Sequence, residues 1–399
     1  MFYDLIIVGG GIVGMATALD MLKKLPTAKV LVLEKESSVA QHQSSHNSGV
    51  IHSGLYYKPG SLKALNCING YKKIIKFCND EGIPYEICGK IVVATKSSEL
   101  PLLNDLHDRG VKNGLNGLKF LEREEIYDYE PNCSGIKALL VKQTGIVNYK
   151  SVVDKYAEKF LLLGGEILFN SEVKRIVNSG KFADIITDSK TWNSKVVVTC
   201  GGLNSDKLAL NTHPNLPIRI IPFRGEYYKL KPGSQKMVNN LIYPVPNPSF
   251  PFLGVHFTRM IDGSVECGPN AVFSFAREGY KKTDFNFSDT YYSLKWPGFR
   301  KIAIEYWREG FSEYYRSIYK GAFVKALQEL IPNIKSDDLI SGGSGVRAQA
   351  CDVNGNLLDD FDIRIDRNVI HVCNAPSPAA TASLSIAETI SSYVVKFLK

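Results

Sequence analysis

Gly9, Gly11 and Gly14 stand at the spacing Gly-x-Gly-x-x-Gly directly behind the apolar run 3–8, a placement that can cradle a pyrophosphate. Gly9 permits the tight turn, Gly11 lets backbone N–H groups approach the phosphates, and Gly14 lets the following helix pack on the strand. The anion then rests on a helix N-terminus, where unpaired N–H groups and the helix dipole favour negative charge. A second apolar run, 30–33, ends in Glu34, whose carboxylate can accept hydrogen bonds from ribose hydroxyls. A glycine motif alone is weak; strand, motif, helix, strand and acid in this order predict a dinucleotide site.

Composition bounds what surrounds that site. Apolar residues make up 44% and charged residues 22% of 399 positions, proportions of a globular protein with one elaborated domain or two. The formal charge of +8, from 48 Lys+Arg against 40 Asp+Glu, suits solubility, an acidic substrate or an anionic lipid surface. No RNA-binding aromatic motif, zinc-finger spacing or basic tail points to nucleic acid. The eight cysteines are scattered without metal-ligand spacing; they read as reduced thiols, and no metal is expected. The first strand opens at residue 3 and no apolar run reaches transmembrane length. The expectation is a protein without a signal peptide, on the cytoplasmic side, free to touch the inner membrane peripherally.

The elements follow in an order that returns to the glycine motif. A polar segment rich in His and Ser spans 37–54, and a helix is predicted over 59–80. Residues 85–95 read as a strand, 148–163 as an amphipathic helix stopped by Gly164 and Gly165, and 166–169 as a strand. The buried run 196–198 leads into Cys200 and Gly201, again glycine where a strand ends near a ligand. Residues 218–272 read as antiparallel sheet with hairpin turns at Pro232-Gly233 and Asp262-Gly263. The glycine-rich stretch 341–347 is expected to precede a strand pair and the strand 369–372. Ser377 is the expected N-cap and Pro378 the first position of a last helix, kept narrow by Ala379 and Ala380. NAD domains are usually contiguous, whereas FAD commonly draws on dispersed stretches. The fold class is therefore α/β: a Rossmann-type FAD-binding domain from 1–80, 148–205 and 338–399, with an inserted, mainly antiparallel α+β substrate domain from 81–147 and 206–337.

Strings along nearly the whole chain carry a family resemblance: QHQSSHNSGVIHSG at 41–54, YYKPGSLKA at 56–64, PFRGEY at 222–227, PFLGVH at 251–256, RMIDGS at 259–264, GVRAQA at 345–350 and CNAPSPAAT at 373–381. The chain resembles the D-amino-acid oxidase and glycerol-3-phosphate dehydrogenase superfamily of FAD proteins, and within it the L-2-hydroxyglutarate dehydrogenase (or oxidase) family. Ser44-Ser45 stands where Thr-Gly is expected, a change between small residues. The resemblance implies noncovalent FAD, oxidation of L-2-hydroxyglutarate to 2-oxoglutarate, and electrons passed to a membrane quinone. It also implies cofactor contacts from Gly9, Gly11, Ile12, Val13, Gly14, Glu34, Lys35, Gln43, Ser44, Ser45, His46, Asn47, Ser48, Gly49, Val173, Cys200, Gly201, Gly345, Ser377, Pro378, Ala379 and Ala380. A related amino-acid or 2-hydroxy-acid oxidase is the alternative.

Oxidising a 2-hydroxy acid needs a base for the hydroxyl proton, a flavin face to take hydride, and cations to hold carboxylates. His256 and His52 are the candidate bases. His256 shares a strand face with Thr258, opposite Val255 and Phe257; it is a base if that face meets the flavin and a satisfied sheet histidine otherwise. The same alternation puts Arg259 on the far face. His52 could transfer the proton, orient substrate or pack on the ring. Arg347 is the expected carboxylate clamp, since a guanidinium fork matches a carboxylate bidentately. Lys58, with Tyr56 and Tyr57, could bind a distal carboxylate or cap the following helix. Residues 273–325 mix aromatics with cations, among them Trp296, Phe299, Arg300 and Lys301; this suits docking on anionic lipid beside a quinone, or ordinary core packing.

Overall fold

The apolar run behind the glycine motif forms strand Phe2–Val8, which in the computed structural model lies inside a sheet of eight strands. The structure describes residues 2–247 and 253–398. Phe2–Val8 pairs in parallel with Val30–Leu33 on one side and Thr191–Thr199 on the other, with Leu5 opposite both Val30 and Val196. Glu166–Leu168 and Val369–Asn374 extend the parallel part outwards. Alternate side chains feed two cores. Leu5, Ile7, Val196 and Val198 face the helices Ile12–Lys24, Tyr149–Leu162 and Ala379–Leu398, whereas Ile6, Val8 and Val197 pack with Ile176, Ile185 and Trp192.

The last helix is wedged between the first and the helix Leu62–Glu81. Its Ile386, Ile390 and Val394 share a core with Met15, Leu19 and Leu22, and Lys24 Nζ donates to Ser391 Oγ at 2.6 Å. On the other side Gly70 allows backbone contact: a Cβ there would fall 2.5 Å from Ala382 Cα and 2.6 Å from the Thr381 carbonyl.

A second sheet of nine strands is built on the antiparallel pair Ile218–Leu230 and Leu339–Asp352, with Phe223 opposite Arg347 and Gly225 opposite Gly345. It continues through Val265–Gly268, His256–Arg259, Leu241–Pro244, Lys90–Ala94, Lys137–Val141 and Lys119–Glu122. One face buries Phe323, Val324 and Leu327 of helix Lys320–Leu327 against Leu230, Ile242, Phe257 and Cys267. His256 and Thr258 alternate with Phe257 and so occupy the other face.

Four sequence expectations are corrected. Pro232-Gly233 opens the short helical turn Pro232–Met237 and not a hairpin, since Ile218–Leu230 finds its antiparallel partners at Leu339–Asp352, Val265–Gly268 and Val272–Phe273. Leu241–Pro244 runs parallel to Lys90–Ala94, so this sheet is mixed. The glycine-rich stretch 341–347 lies inside a strand of the second sheet, although 338–399 was expected to serve the cofactor domain. Its glycines admit neighbouring backbone: a Cβ at Gly342 would sit 2.5 Å from the Tyr227 carbonyl. Finally, the last helix starts at Ala379, with Pro378 just before it.

Gly70→Val is expected to lower stability by about 1–3 kcal/mol, because overpacking at a helix crossing must move backbone. The measurement is the thermal midpoint; a variant that melts with the parent removes the crossing constraint.

Candidate active site

A cavity of about 730 Å³ lies between the two sheets, and its wall is drawn from both. At one end the strand Phe2–Val8 turns at Gly9, where φ is +112° and a Cβ would come 2.4 Å from the Cys200 carbonyl. A Cβ at Gly14 would lie 2.0 Å from the Gly9 carbonyl, so the helix Ile12–Lys24 starts hard against the turn. Gly11 caps that helix without a side-chain hydrogen bond, and it lines the cavity with Ile12 and Val13. Glu34 is buried at the end of its strand: Oε2 accepts from Gly10 N at 2.5 Å and Oε1 from Glu36 N at 2.9 Å. The carboxylate is thus fixed beside a helix N-terminus, just behind the residues that line the cavity.

The polar loop after Glu34 forms the middle of the wall through Gln43, Ser44, His46, Asn47 and Ser48. It ties itself down. Ser44 Oγ accepts from Ile12 N at 2.9 Å, and Asn47 Nδ2 donates to the carbonyls of Gln43 and Ser44. His46 bonds the Ser344 carbonyl through Nδ1 at 3.0 Å and stacks on Tyr280. The wall also takes in Cys200, Gly345 and the approach to the last helix, Ser377, Pro378, Ala379 and Ala380.

The chemical end holds His52, Tyr57, His256 and Arg347, four of the five residues proposed for substrate chemistry. His256 is 4% exposed, and its Nδ1 bonds the Gly254 carbonyl at 2.8 Å. A carbonyl only accepts, so Nδ1 carries the hydrogen and the neutral ring keeps its lone pair at Nε2. Burial holds this imidazole down to about 4, reinforced by Arg347 and Lys90 and opposed by the Gly254 bond. Burial, Lys90, Lys63 and His256 hold His52 down to about 3. Both rings are thus neutral near pH 7, and the same burial makes each a weaker base than a free imidazole. Nδ1 of His52 and the Tyr56 hydroxyl are buried without hydrogen-bond partners, polar atoms that a ligand in the cavity would satisfy.

Lys58 is the exception. It is exposed, and its carbonyl accepts from Ser61 N and Oγ at the start of the helix Leu62–Glu81. The chain turns outward there, which takes the ammonium away from the cavity. Two other lysines take its place beside the tyrosines. Lys63 lines the cavity, pairs with Asp359 at 2.6 Å and lies 5.0 Å over the Tyr57 ring. Lys90 is 2% exposed, with Nζ 4.1 Å from the Tyr56 ring and 5.1 Å from that of Tyr243. Its sequence signal is a lysine heading the otherwise apolar strand Lys90–Ala94. The tyrosine loop is fixed from behind: Arg109 donates to the Tyr56 carbonyl, and Asn113 to the carbonyls of Gly54 and Tyr57. Tyr227 and Tyr243 complete this end.

Several expected cofactor contacts stand behind the wall. Gly9, Gly14, Gly49 and Gly201 shape backbone; a Cβ at Gly49 would meet the Val147 carbonyl and one at Gly201 would meet Leu208. Val173 packs with Ile176 and Leu33, and Ser45 Oγ donates to the His42 carbonyl. Lys35 bridges Glu36 at 2.9 Å and Glu278 at 2.5 Å. Among the described residues, Glu36, His42 and Glu278 are the one group close enough to hold a cation, and the Lys35 ammonium already pairs with both carboxylates. Arg259 forms a bidentate pair with Glu86 on the far face, as alternation requires. Pro251 and Phe252 lie outside the described residues.

The comparisons extend this geometry. The family model "FAD dependent oxidoreductase" matches residues 4–393. An L-2-hydroxyglutarate dehydrogenase of Indibacter alkaliphilus is 55% identical, with 99% of this chain and 100% of that protein covered. The protein of that name from Escherichia coli K12 is 43% identical over 99% of this chain and 94% of its own length. A human mitochondrial one is 43% identical over 98% and 88%. Among solved structures, L-alpha-glycerophosphate oxidase of Mycoplasma pneumoniae with FAD bound superimposes with a TM-score of 0.80 at 22% identity, covering 100% of this chain and 95% of its own. Glycine oxidase of Geobacillus kaustophilus gives 0.74 at 15% identity, over 99% and 95%. These two share the fold.

Glu34→Ala is expected to weaken dinucleotide retention about 10- to 100-fold, the loss of hydrogen bonds to a charged group. Cofactor content after gel filtration measures it, and full retention would remove Glu34 from the ribose site.

Proposed function

We propose, from the premise that this chain belongs to the FAD-dependent oxidoreductases and to the L-2-hydroxyglutarate dehydrogenase family among them, that it oxidises L-2-hydroxyglutarate to 2-oxoglutarate. The observation that carries the chemistry is the His256 tautomer: a hydrogen fixed on Nδ1 by Gly254 leaves Nε2 as a base on the wall that also holds Arg347. Bound FAD supplies the acceptor for hydride leaving the α-carbon. Gly11, Ile12, Ser44 and the approach to the Ala379–Leu398 helix are the residues that would hold it. His256 Nε2 takes the hydroxyl proton, and the negative charge of the substrate raises the affinity of this desolvated ring for that proton. Arg347 holds the carboxylate beside the reacting carbon. Lys63 and Tyr57 receive the distal carboxylate, which suits a dianion over a monoanion. His52 orients the substrate from the opposite side.

The same reading assigns the electrons to a membrane quinone. Helix Trp307–Ile318 exposes Trp307, Phe311, Tyr315 and Ile318 along one face, at 61%, 72%, 53% and 81% exposure. Its other face is anchored: Glu313 accepts from Ala271 N, and Tyr314 donates to the Phe273 carbonyl. Exposed Arg300, Lys301 and Arg308 lie on or next to this helix, the combination of rings and cations that suits an anionic lipid surface. Trp296 and Phe299, expected to contribute, are packed inward; Phe299 is 6% exposed and Trp296 Nε1 donates to the carbonyls of Cys351 and Asp352. Among the described residues no helix is long and apolar enough to cross a membrane.

In anaerobic mixing, L-2-hydroxyglutarate should bleach the flavin far faster than its D enantiomer or L-lactate, which lacks the distal carboxylate. Equal rates with lactate would refute the dicarboxylate pocket. His256→Asn should slow reduction about 10²- to 10⁴-fold, and Arg347→Lys should be nearly as damaging as Arg347→Ala, because one ammonium cannot reproduce a fork.

Replacing Trp307, Phe311 and Ile318 together by Ser should weaken binding to anionic vesicles by at least about tenfold while leaving flavin reduction by substrate intact. Parent binding should fall with added salt. A triple variant that binds as the parent does would end the docking proposal.

A further inference from the structure

Lys90 is a buried amine with no counter-charge. It heads the strand Lys90–Ala94, its backbone paired with Val141. Among the described residues no carboxylate lies within ion-pairing distance of its Nζ, which rests instead against the faces of Tyr56 and Tyr243. Both rings line the cavity, and Tyr243 also packs on His256 with 4.0 Å between ring centres. Aromatic faces compensate a desolvated cation by about 2 kcal/mol, far less than a full ion pair with hydrogen bonds supplies.

The groups around Lys90 leave this imbalance in place. From helix Leu62–Glu81 comes Cys67, whose thiol burial pushes up to about 12 and so keeps neutral, and beyond it Lys63. His52 faces it from the polar loop, and His256 from the strand His256–Arg259; both are neutral near pH 7, and Lys90 depresses both. Tyr56 and Tyr243 are neutral, burial pushing both hydroxyls up. Arg347 acts on the same His256 from Leu339–Asp352. These groups are thus all neutral or positive, and the acids among the residues lining the cavity, Asp105 and Asp359, are exposed, the latter paired with Lys63. Burial accordingly holds the Lys90 amine down to about 7.

We propose that Lys90 takes up a proton from solvent as a dicarboxylate enters the cavity and releases it when the product leaves, acting across Tyr56 and Tyr243 as a positioning residue that matches the charge of the site to a dianion. The proposal rests on the dicarboxylate reading above. The sign follows from linkage. A group with a higher proton affinity in the complex strengthens binding in full below its free-state value, and the gain is lost as pH rises through its value in the complex. A site that charges only when occupied also avoids holding an unpaired ammonium between turnovers.

The test uses the FAD-loaded enzyme with glutarate, a dianion that lacks the hydroxyl and does not react, and butyrate as the monoanion. Binding is read from the flavin spectrum, and proton uptake from calorimetry in two buffers of different ionisation enthalpy. For the parent at pH 8, about one proton should be taken up per glutarate and clearly less per butyrate, and the glutarate Kd should rise about tenfold per pH unit from 7.5 to 8.5. Lys90→Met should lose both the uptake and the slope. Lys90→Arg, charged at every pH, should still bind glutarate and also lose both, which keeps the test decisive if the Met variant folds poorly. Uptake and slope that persist in either variant, or their absence in the parent, overturn the proposal for Lys90 alone. Failure of the parent to bind glutarate overturns the dicarboxylate reading and this proposal with it.

Discussion

A main-chain contact at Gly345 sets the spacing of the two sheets, and the cavity depends on it. A Cβ at that position would fall 2.4 Å from the His46 carbonyl, so the strand Leu339–Asp352 can approach the polar loop only as glycine. The neighbouring Ser344 carbonyl bonds His46 Nδ1, which fixes the approach laterally as well as in depth. Two residues further along the same strand stands Arg347, and across from it Phe223. The strand that touches the polar loop therefore also carries the proposed carboxylate clamp. Extra bulk at Gly345 would separate the two functions by moving the sheet.

Once the walls are set, desolvation decides the chemistry. The cavity wall gathers His46, His52 and His256, the guanidinium groups of Arg109 and Arg347, and Lys63, with Lys90 buried behind Tyr56 and Tyr243; among its lining residues the acids are Asp105 and Asp359. Burial favours the uncharged forms of His52 and His256, which stay neutral near pH 7. Arg347 cannot lose its charge at any working pH. The site thus combines the permanent cations of Arg109 and Arg347 with imidazoles that can gain a charge, an arrangement that fits an anionic substrate which must also surrender a proton.

Local patterns were legible in the sequence, and distant ones were not. The glycine motif, Glu34 and the amphipathic helix over 148–163 depend on residues close to one another in the chain, and their elements form where the patterns put them. Period-two alternation separated His256 from Arg259 because both lie on one short strand. Lys58 and Lys63 could not be ranked in that way, since which of them meets the cavity depends on how the chain turns outward before Ser61. Lys90 was visible as a charge in an apolar strand, but the rings it faces come from residues far away in sequence. The stretch 341–347 was misread for a related reason: glycine ordinarily weakens a strand, and here the contacts that require it lie on Tyr227 and His46. Trp296 and Phe299 looked like surface aromatics because composition does not say which helix face is buried.

The wedged position of the last helix has a consequence for the order of assembly. Residues 379–398 fill the space between the first helix and Leu62–Glu81, so the core that supports the glycine turn stays open until this late segment has been synthesised. A chain still on the ribosome exposes the apolar sides of both flanking helices, whichever of its earlier segments have already folded. The glycine turn is therefore braced only once this late-made helix has docked between them.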